Sequence, residues 1–277
     1  TFSTCFMRST QYIFLVLLFL LPAIAQAQEY GTTRQNRFFI SWGWNGAAYT
    51  KSDIHFKGAD YDFTLSDVKS HDRQTQLGWK YVDPTEATKP QYNFRVGIFL
   101  NPKYSISFGF DHMKYVVLNN QTVDIDGFIT SSETEFDGVY EHQPIKLTEN
   151  FLLFEHTNGL NYLNMELRRH DRLLSYYDNH LEINSVAGVG GGILYPKTDV
   201  TLINFDRNDQ WHLAGYGTAV LFGLNVTFLK CIFIQGELKG GFINMPDILT
   251  TASDGDRAKQ HFFFLQRNIN IGYNIRF

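Results

Sequence analysis

Residues 266–277 read QRNINIGYNIRF. Every second residue from Ile269 gives Ile269, Ile271, Tyr273, Ile275 and Phe277, while the residues between and before them are Asn268, Asn270, Gly272, Asn274 and Arg276. Successive side chains of a strand point to opposite faces, so this stretch is a strand with one apolar face and one amide-and-arginine face. A strand of that kind fits lipid on one side and a polar barrel interior on the other.

The same period of two recurs upstream. It appears in RFFISWGWNGAAY (37–49), YNFRVGIFL (92–100), KYSISFGFDHMKYVV (103–117) and LLFEHTNGLNYLNMELRR (152–169). It continues in EINSVAGVGGGILY (182–195), GYGTAVLFGLNVTFL (215–229) and CIFIQGELKGGFI (231–243), which with the last strand makes eight segments. One face carries side chains such as Phe38, Ile40, Trp42 and Trp44; the other carries Gly, Ser, Asn and sparse charges. A soluble sandwich would set Lys and Glu on its outer face instead. The connections alternate short and long, the long ones falling at about 50–91, 118–150, 196–214 and 244–260. Tight turns at one end and long loops at the other are the pattern of transmembrane barrels, whose backbone polar groups must all pair within the protein. The expected fold is all-β: a closed eight-stranded antiparallel transmembrane β-barrel with long external loops and short periplasmic turns, a single domain over residues 28–277.

Composition agrees. Phe, Tyr and Trp number 25, 15 and 4 in 277 residues, and aromatic residues favour strands. A net charge of -4, with no basic patch interleaved with aromatics, points away from nucleic acid. Residues 1–27 read as a cleaved export signal: Arg8, the apolar run YIFLVLLFLLPAIA, and the small-x-small site at Ala25 to Ala27. Cys5 would leave with that segment, and Cys231 alone cannot form an internal disulfide, so an exported chain must find order elsewhere.

The export signal, the eight alternating strands and the terminal YNIRF resemble small bacterial outer-membrane β-barrel proteins. In that group a C-terminal aromatic with alternating apolar residues is read by the barrel assembly machinery. The resemblance therefore implies that role for Tyr273, Ile275 and Phe277, and implies residence in the outer membrane among lipid and lipopolysaccharide. The fold itself hosts many functions.

Eight strands enclose a space that side chains fill. Arg95, Asp111, Glu166, Arg168, Glu237, Lys239 and Arg276 are expected to point inward and pair, which offsets the cost of burying charge. Gly188, Gly190 and Gly192 share a face and are expected to make room for bulky neighbours; GVGGGILYPKT lacks the features of a phosphate loop. The stretch FEHTNGLNYLNMEL offers His156 as a general base, Thr157 or water as nucleophile, and Asp111 or Glu166 as an orienting acid. Asp111 and His112 on the third segment are expected to meet His156 at one depth. Eight-stranded lipid A deacylases carry a His, a Ser two residues on, and a downstream Glu. His156 and Glu166 are similar to that pattern, but Asn158 stands where the Ser would be, which leaves the nucleophile without a match. Arg267, with His112 and Lys114, is expected to face the outer headgroups. The acidic stretches DYDFTL, DPTEATKP, DIDGF and ETEFDGVYEH lack cation-ligand spacing, and the nine His residues show no zinc pattern; neither metal nor cofactor is indicated. Three roles remain: a non-enzymatic barrel acting through its external loops or within an envelope assembly with protein partners, a lipid A acyl hydrolase or transferase, and a small transporter of apolar molecules.

Overall fold

The computed structural model describes residues 37–75, 78, 90–203, 205, 207–253 and 255–276. The expected export signal (1–27), and Phe277 of the expected assembly signal, lie outside the described residues. Fifteen strands are found among those described. Eight of them make the ring: β1 (Arg37–Tyr49), β5 (Tyr92–Phe99), β6 (Tyr104–Val117), β9 (Leu152–Tyr176), β10 (Leu181–Leu194), β13 (Gly215–Phe228), β14 (Ile232–Leu249) and β15 (Arg257–Arg276). Each pairs antiparallel with the next, and β15 returns to β1 from Arg37↔Arg276 to Tyr49↔Phe264. The ring thus leaves none of its eight strands with a free edge along its lower part.

Alternation fixes what each face meets. Along β15, Gln266, Asn268 and Asn270 are buried while Ile269 and Ile271 are exposed, Ile271 by 60%. Phe222 on β13 is 65% exposed and Leu238 on β14 57%. A continuous outward belt of large apolar side chains is stable only against lipid. With every ring strand paired on both sides, the backbone meets the requirement of a bilayer. The short turns lie at the end that holds Arg37 and Arg276, and the long connections at the other, which is the external end of such barrels.

The expected long external connections are present, and they are built largely of strand. They hold seven further strands: β2 (Ser52–Lys57), β3 (Tyr61–Val68), β4 (Ser70–His71), β7 (Thr122–Ile129), β8 (Gly138–Lys146), β11 (Lys197–Leu202) and β12 (Asn208–Trp211). β2 pairs with the start of β15, and β3, β7 and β8 follow it outward in order. On the other side β11 pairs with the start of β9 and β12 with β11, while β4 adds to the end of β6. Ring strands are longer than expected for the same reason. β9 runs on to Tyr176, β14 to Leu249, and β15 starts at Arg257, inside the connection expected at 244–260.

The two external extensions pack on each other through rings. Phe56 on β2 lies edge-on to Phe154 on β9, with centroids 5.9 Å apart; Phe63 on β3 is 6.0 Å from Phe151. Ile54, Leu65, Ile125, Tyr115, Leu152, Leu202 and Ile248 complete a core in which each is buried to 2% exposure or less. This cap is what closes the external mouth.

Candidate functional site

Period two brings one charged cluster together inside the ring. Arg95 on β5 reaches Glu166 on β9 (Nη2 to Oε1, 3.0 Å) and lies 3.6 Å from Asp111 Oδ1 on β6. Arg168 donates from Nε to Glu166 Oε2 (2.7 Å) and from Nη1 to Glu237 Oε2 on β14 (3.1 Å). Lys239 joins Glu166 (Nζ to Oε1, 2.8 Å) and Asp111. Amides finish the remaining valences: Asn164 bridges Arg95 and Asp111, and Gln235 and Asn268 donate to Glu237. Three cations face three anions, so the buried set is neutral, and each charge has at least one opposite charge within reach, as a low-dielectric interior demands. Gly188 and Gly190 flank it. A Cβ at Gly190 would stand 2.5 Å from Glu166 Cγ, and one at Gly188 3.1 Å from Arg168 Cγ. Those two glycines leave the space the charged side chains occupy.

Arg276 is not in this cluster. It is exposed, at the last rung of the ring and across from Arg37. A strand's end lies at the rim, where an inward-side position meets water instead of the packed lumen. Of the expected assembly signal, Tyr273 and Ile275 are exposed on the outward face at that same end, 47% and 37%.

The expected catalytic set does not assemble. His156 and Thr157 are consecutive on β9, so they point to opposite faces. Thr157 Oγ1 donates to Glu155 Oε1 (2.6 Å), whereas His156 is fully buried in the cap core. Glu166 is ten residues farther along the same strand, roughly 33 Å at 3.3 Å per residue. Asp111 stands opposite Tyr162, not His156, and belongs with Glu166 to the ion cluster. His112, expected near His156, instead bonds Asn161 Oδ1 through Nδ1 (2.7 Å). The partner that sequence reading missed is Thr198 on β11, whose Oγ1 lies 2.9 Å from His156 Nδ1. Nothing local predicts that pair, because it depends on β11 lying along the outer end of β9. Phe154 and Tyr115 stand 5.2 and 5.7 Å from the imidazole, centroid to centroid. In this apolar setting, above the ring, burial pushes the imidazole pKa down to about 3. A neutral His beside a hydroxyl has the elements of a base and nucleophile, but both are sealed between packed strands, with Thr198 only 3% exposed.

The periplasmic end is closed by Phe39, Phe99 and Phe233, with Phe39 ring centroids 5.7 and 6.3 Å from the other two. Between these rings and Arg168 lies a small cavity of about 20 Å³, also lined by His170, Asn225 and Gln235. That volume holds one water. Among the acidic stretches, Asp62 is taken by His55 (2.7 Å) and Lys57 (3.3 Å), and Asp124 by His142 (2.9 Å). Residues 83–89 of DPTEATKP lie outside the described residues. No group of three or more metal-ligating side chains occurs among the described residues.

Ring, belt and turn pattern together define a class: an integral outer-membrane β-barrel of eight strands. No family model matches the chain, and no curated protein matches it. Solved structures with some likeness include the outer membrane protein OprG from Pseudomonas aeruginosa, at 12% identity over 89% of this chain and 99% of that one, with a TM-score of 0.39. The outer membrane protease OmpT from Escherichia coli is 10% identical over 90% and 100%, with a TM-score of 0.35. The N-terminal β-barrel domain of Pseudomonas aeruginosa OprF is 10% identical over 87% and 98%, with a TM-score of 0.31. Likeness of this degree assigns no role to any residue here.

Proposed function

We propose that the protein is a non-enzymatic, non-conducting outer-membrane barrel that serves as a rigid mount for its external cap, with the cap surface meeting partners in the envelope or outside it. The observation that carries this reading is the closure of the interior at three levels: the phenylalanine plug, the neutral ion cluster and the aromatic cap core. A conduit for ions or apolar molecules needs a continuous opening, and a hydrolase needs a substrate path to its nucleophile. The interior residues favour neither. The cap, in contrast, is built as a solid body, which suits presentation of a surface.

Two measurements on the full chain test this. In planar bilayers the protein is expected to give no stepwise conductance above the lipid background; discrete openings would overturn the sealed reading. Lipid A from cells making the wild type, no protein or His156→Ala is expected to show one acyl pattern by mass spectrometry. An acyl change present with the wild type and absent with the variant would instead establish an enzyme centred on His156.

A further inference from the structure

Two of the three cations in the buried cluster are arginines, which stay charged and do not act as nucleophiles. The third is Lys239, and its surroundings are those of a reactive amine. It is 1% exposed, as are Asp111 and Glu166. Its Nζ meets Asp111 Oδ2 and lies 2.8 Å from Glu166 Oε1. The Tyr162 ring covers it, with Nζ 5.0 Å from the ring centre. Burial and a neighbouring cation both activate a lysine as a nucleophile. Arg95 is that neighbour, since it shares Asp111 and Glu166 with Lys239.

Asp111 is held as the matching acceptor. Asn164 donates from Nδ2 to the same Oδ2 (3.1 Å). Oδ1 has no hydrogen-bond donor among the described residues and faces Arg95 Nη2 at 3.6 Å. One oxygen is thus placed to leave, and the other to carry negative charge towards a guanidinium. Glu166, in contact with the amine, can carry a proton from one to the other. The pair also spans the barrel. Around the ring, β6 stands opposite β14, and the two share no backbone ladder. Asp111 and Lys239 are 128 positions apart in the chain.

We propose that Lys239 and Asp111 condense to an amide, a covalent brace across the lumen, with Glu166 as the proton carrier. The ion pair first passes a proton from Nζ to Asp111, giving amine and acid; both are neutral, which a low-dielectric interior accepts. Nζ then forms a bond to Asp111 Cγ. Glu166 takes a proton from Nζ and delivers it to Oδ2, the Cγ–Oδ2 bond breaks, and water leaves. Glu166 ends as it began. One cation and one anion vanish together, so Arg95, Arg168, Glu166 and Glu237 remain as a neutral set, with Arg95 3.0 Å from Glu166 and Arg168 3.1 Å from Glu237. The phenylalanine plug and the cap core keep bulk water from the amide. The brace rests on the charged cluster and not on the role of the cap, so its failure leaves the proposed function standing.

The test is peptide mapping by mass spectrometry of the full chain, purified from membranes, unfolded in urea and cut with trypsin. The wild type is expected to yield a branched peptide, 104–114 joined to 231–257, lighter by one water than its two parts and uncut after Lys239. Complete cleavage after Lys239 would overturn the brace. Lys239→Arg, which keeps the cation, and Asp111→Ala should each give linear peptides only; a branched peptide persisting in either would overturn the assignment of the two residues. The part of Glu166 is read from the rate. When the unfolded chain is returned to lipid vesicles, Glu166→Gln should form the link at least about 100-fold more slowly than the wild type. Equal rates, with both proteins shown folded by resistance to heat in dodecyl sulfate, would overturn its role as proton carrier.

Discussion

Lys239 and Phe264 both point into the space enclosed by β14 and β15, and their surroundings are opposite. Lys239 lies among Asp111 and Glu166; Phe264 is part of the aromatic cap core. Tyr162 separates them. Lys239 Nζ is 5.0 Å from the centre of its ring, Phe264 is 6.4 Å from it on centroids, and its hydroxyl donates to Gly217 O (3.0 Å). Below Tyr162 the volume is filled by groups that specify one another through charge and hydrogen bonding. Above it, volume is filled by shape and by water exclusion. The lower half is therefore sensitive to single charges and the upper half to voids and to protonation.

The comparison can be broken most forcefully at Glu166, which serves Arg95, Arg168 and Lys239 at once. Glu166→Gln leaves three buried cations to two carboxylates, and removing one partner of a buried pair costs about 3–5 kcal/mol. Urea unfolding of the ring in lipid vesicles should show that loss. A variant as stable as the wild type would mean that the cluster is not what orders the lower half.

Acid should act on the upper half alone. His156 is held neutral in the native cap, with its pKa pushed down to about 3 from an ordinary 6.5, and the groups against it are Thr198, Tyr115 and Phe154. Once unfolded, this side chain binds a proton below pH 6.5, so the unfolded cap takes up more protons than the native one and native stability falls with falling pH. The window runs from about 6.5 down to about 3, at about 1.4 kcal/mol per pH unit. By pH 4.5 the cap should have lost close to 3 kcal/mol by that slope. Limited proteolysis should then cut the cap while the ring stays intact, and His156→Gln should flatten the pH dependence. The smallest effect belongs to the cap's outer face. Asp62, with His55 and Lys57 around it, is more than a third exposed, and Asp62→Ala should change stability by less than about 1 kcal/mol. A larger loss would show that the outer face also holds the cap together.

The same contrast explains what could be read from the residues alone. A ring strand announces itself when its two faces differ, as Asn268 and Ile269 do. Where the interior turns apolar that difference disappears. His261-Phe262-Phe263-Phe264 is strand throughout, yet Phe262 and Phe264 face the cap core while Phe263 faces outward. The end of β14 and Arg257–Gln260 at the start of β15 fall in the connection expected at 244–260. The cap strands β2, β3, β7 and β11 are short and follow one another through turns, so long connections looked like loops. Inward charges such as Arg95 and Lys239 followed from period two; which carboxylate each would meet did not, since that needs the stagger between strands. The rule that placed those charges also separates His156 from Thr157, and it carries more weight than the proximity of two reactive residues in the chain.

One strand has two neighbours in series along a single edge. From Phe264 onward β15 is bonded to β1, and from Arg257 to Gln260 it is bonded to β2. A slip of β15 by one residue would turn Gln266 and Asn268 towards lipid and, in the same movement, pull Phe262 and Phe264 out of the cap. The two scales are engraved on one ruler, so a misreading on either is corrected by the other. Alignment errors that a plain hairpin would tolerate are here penalised twice.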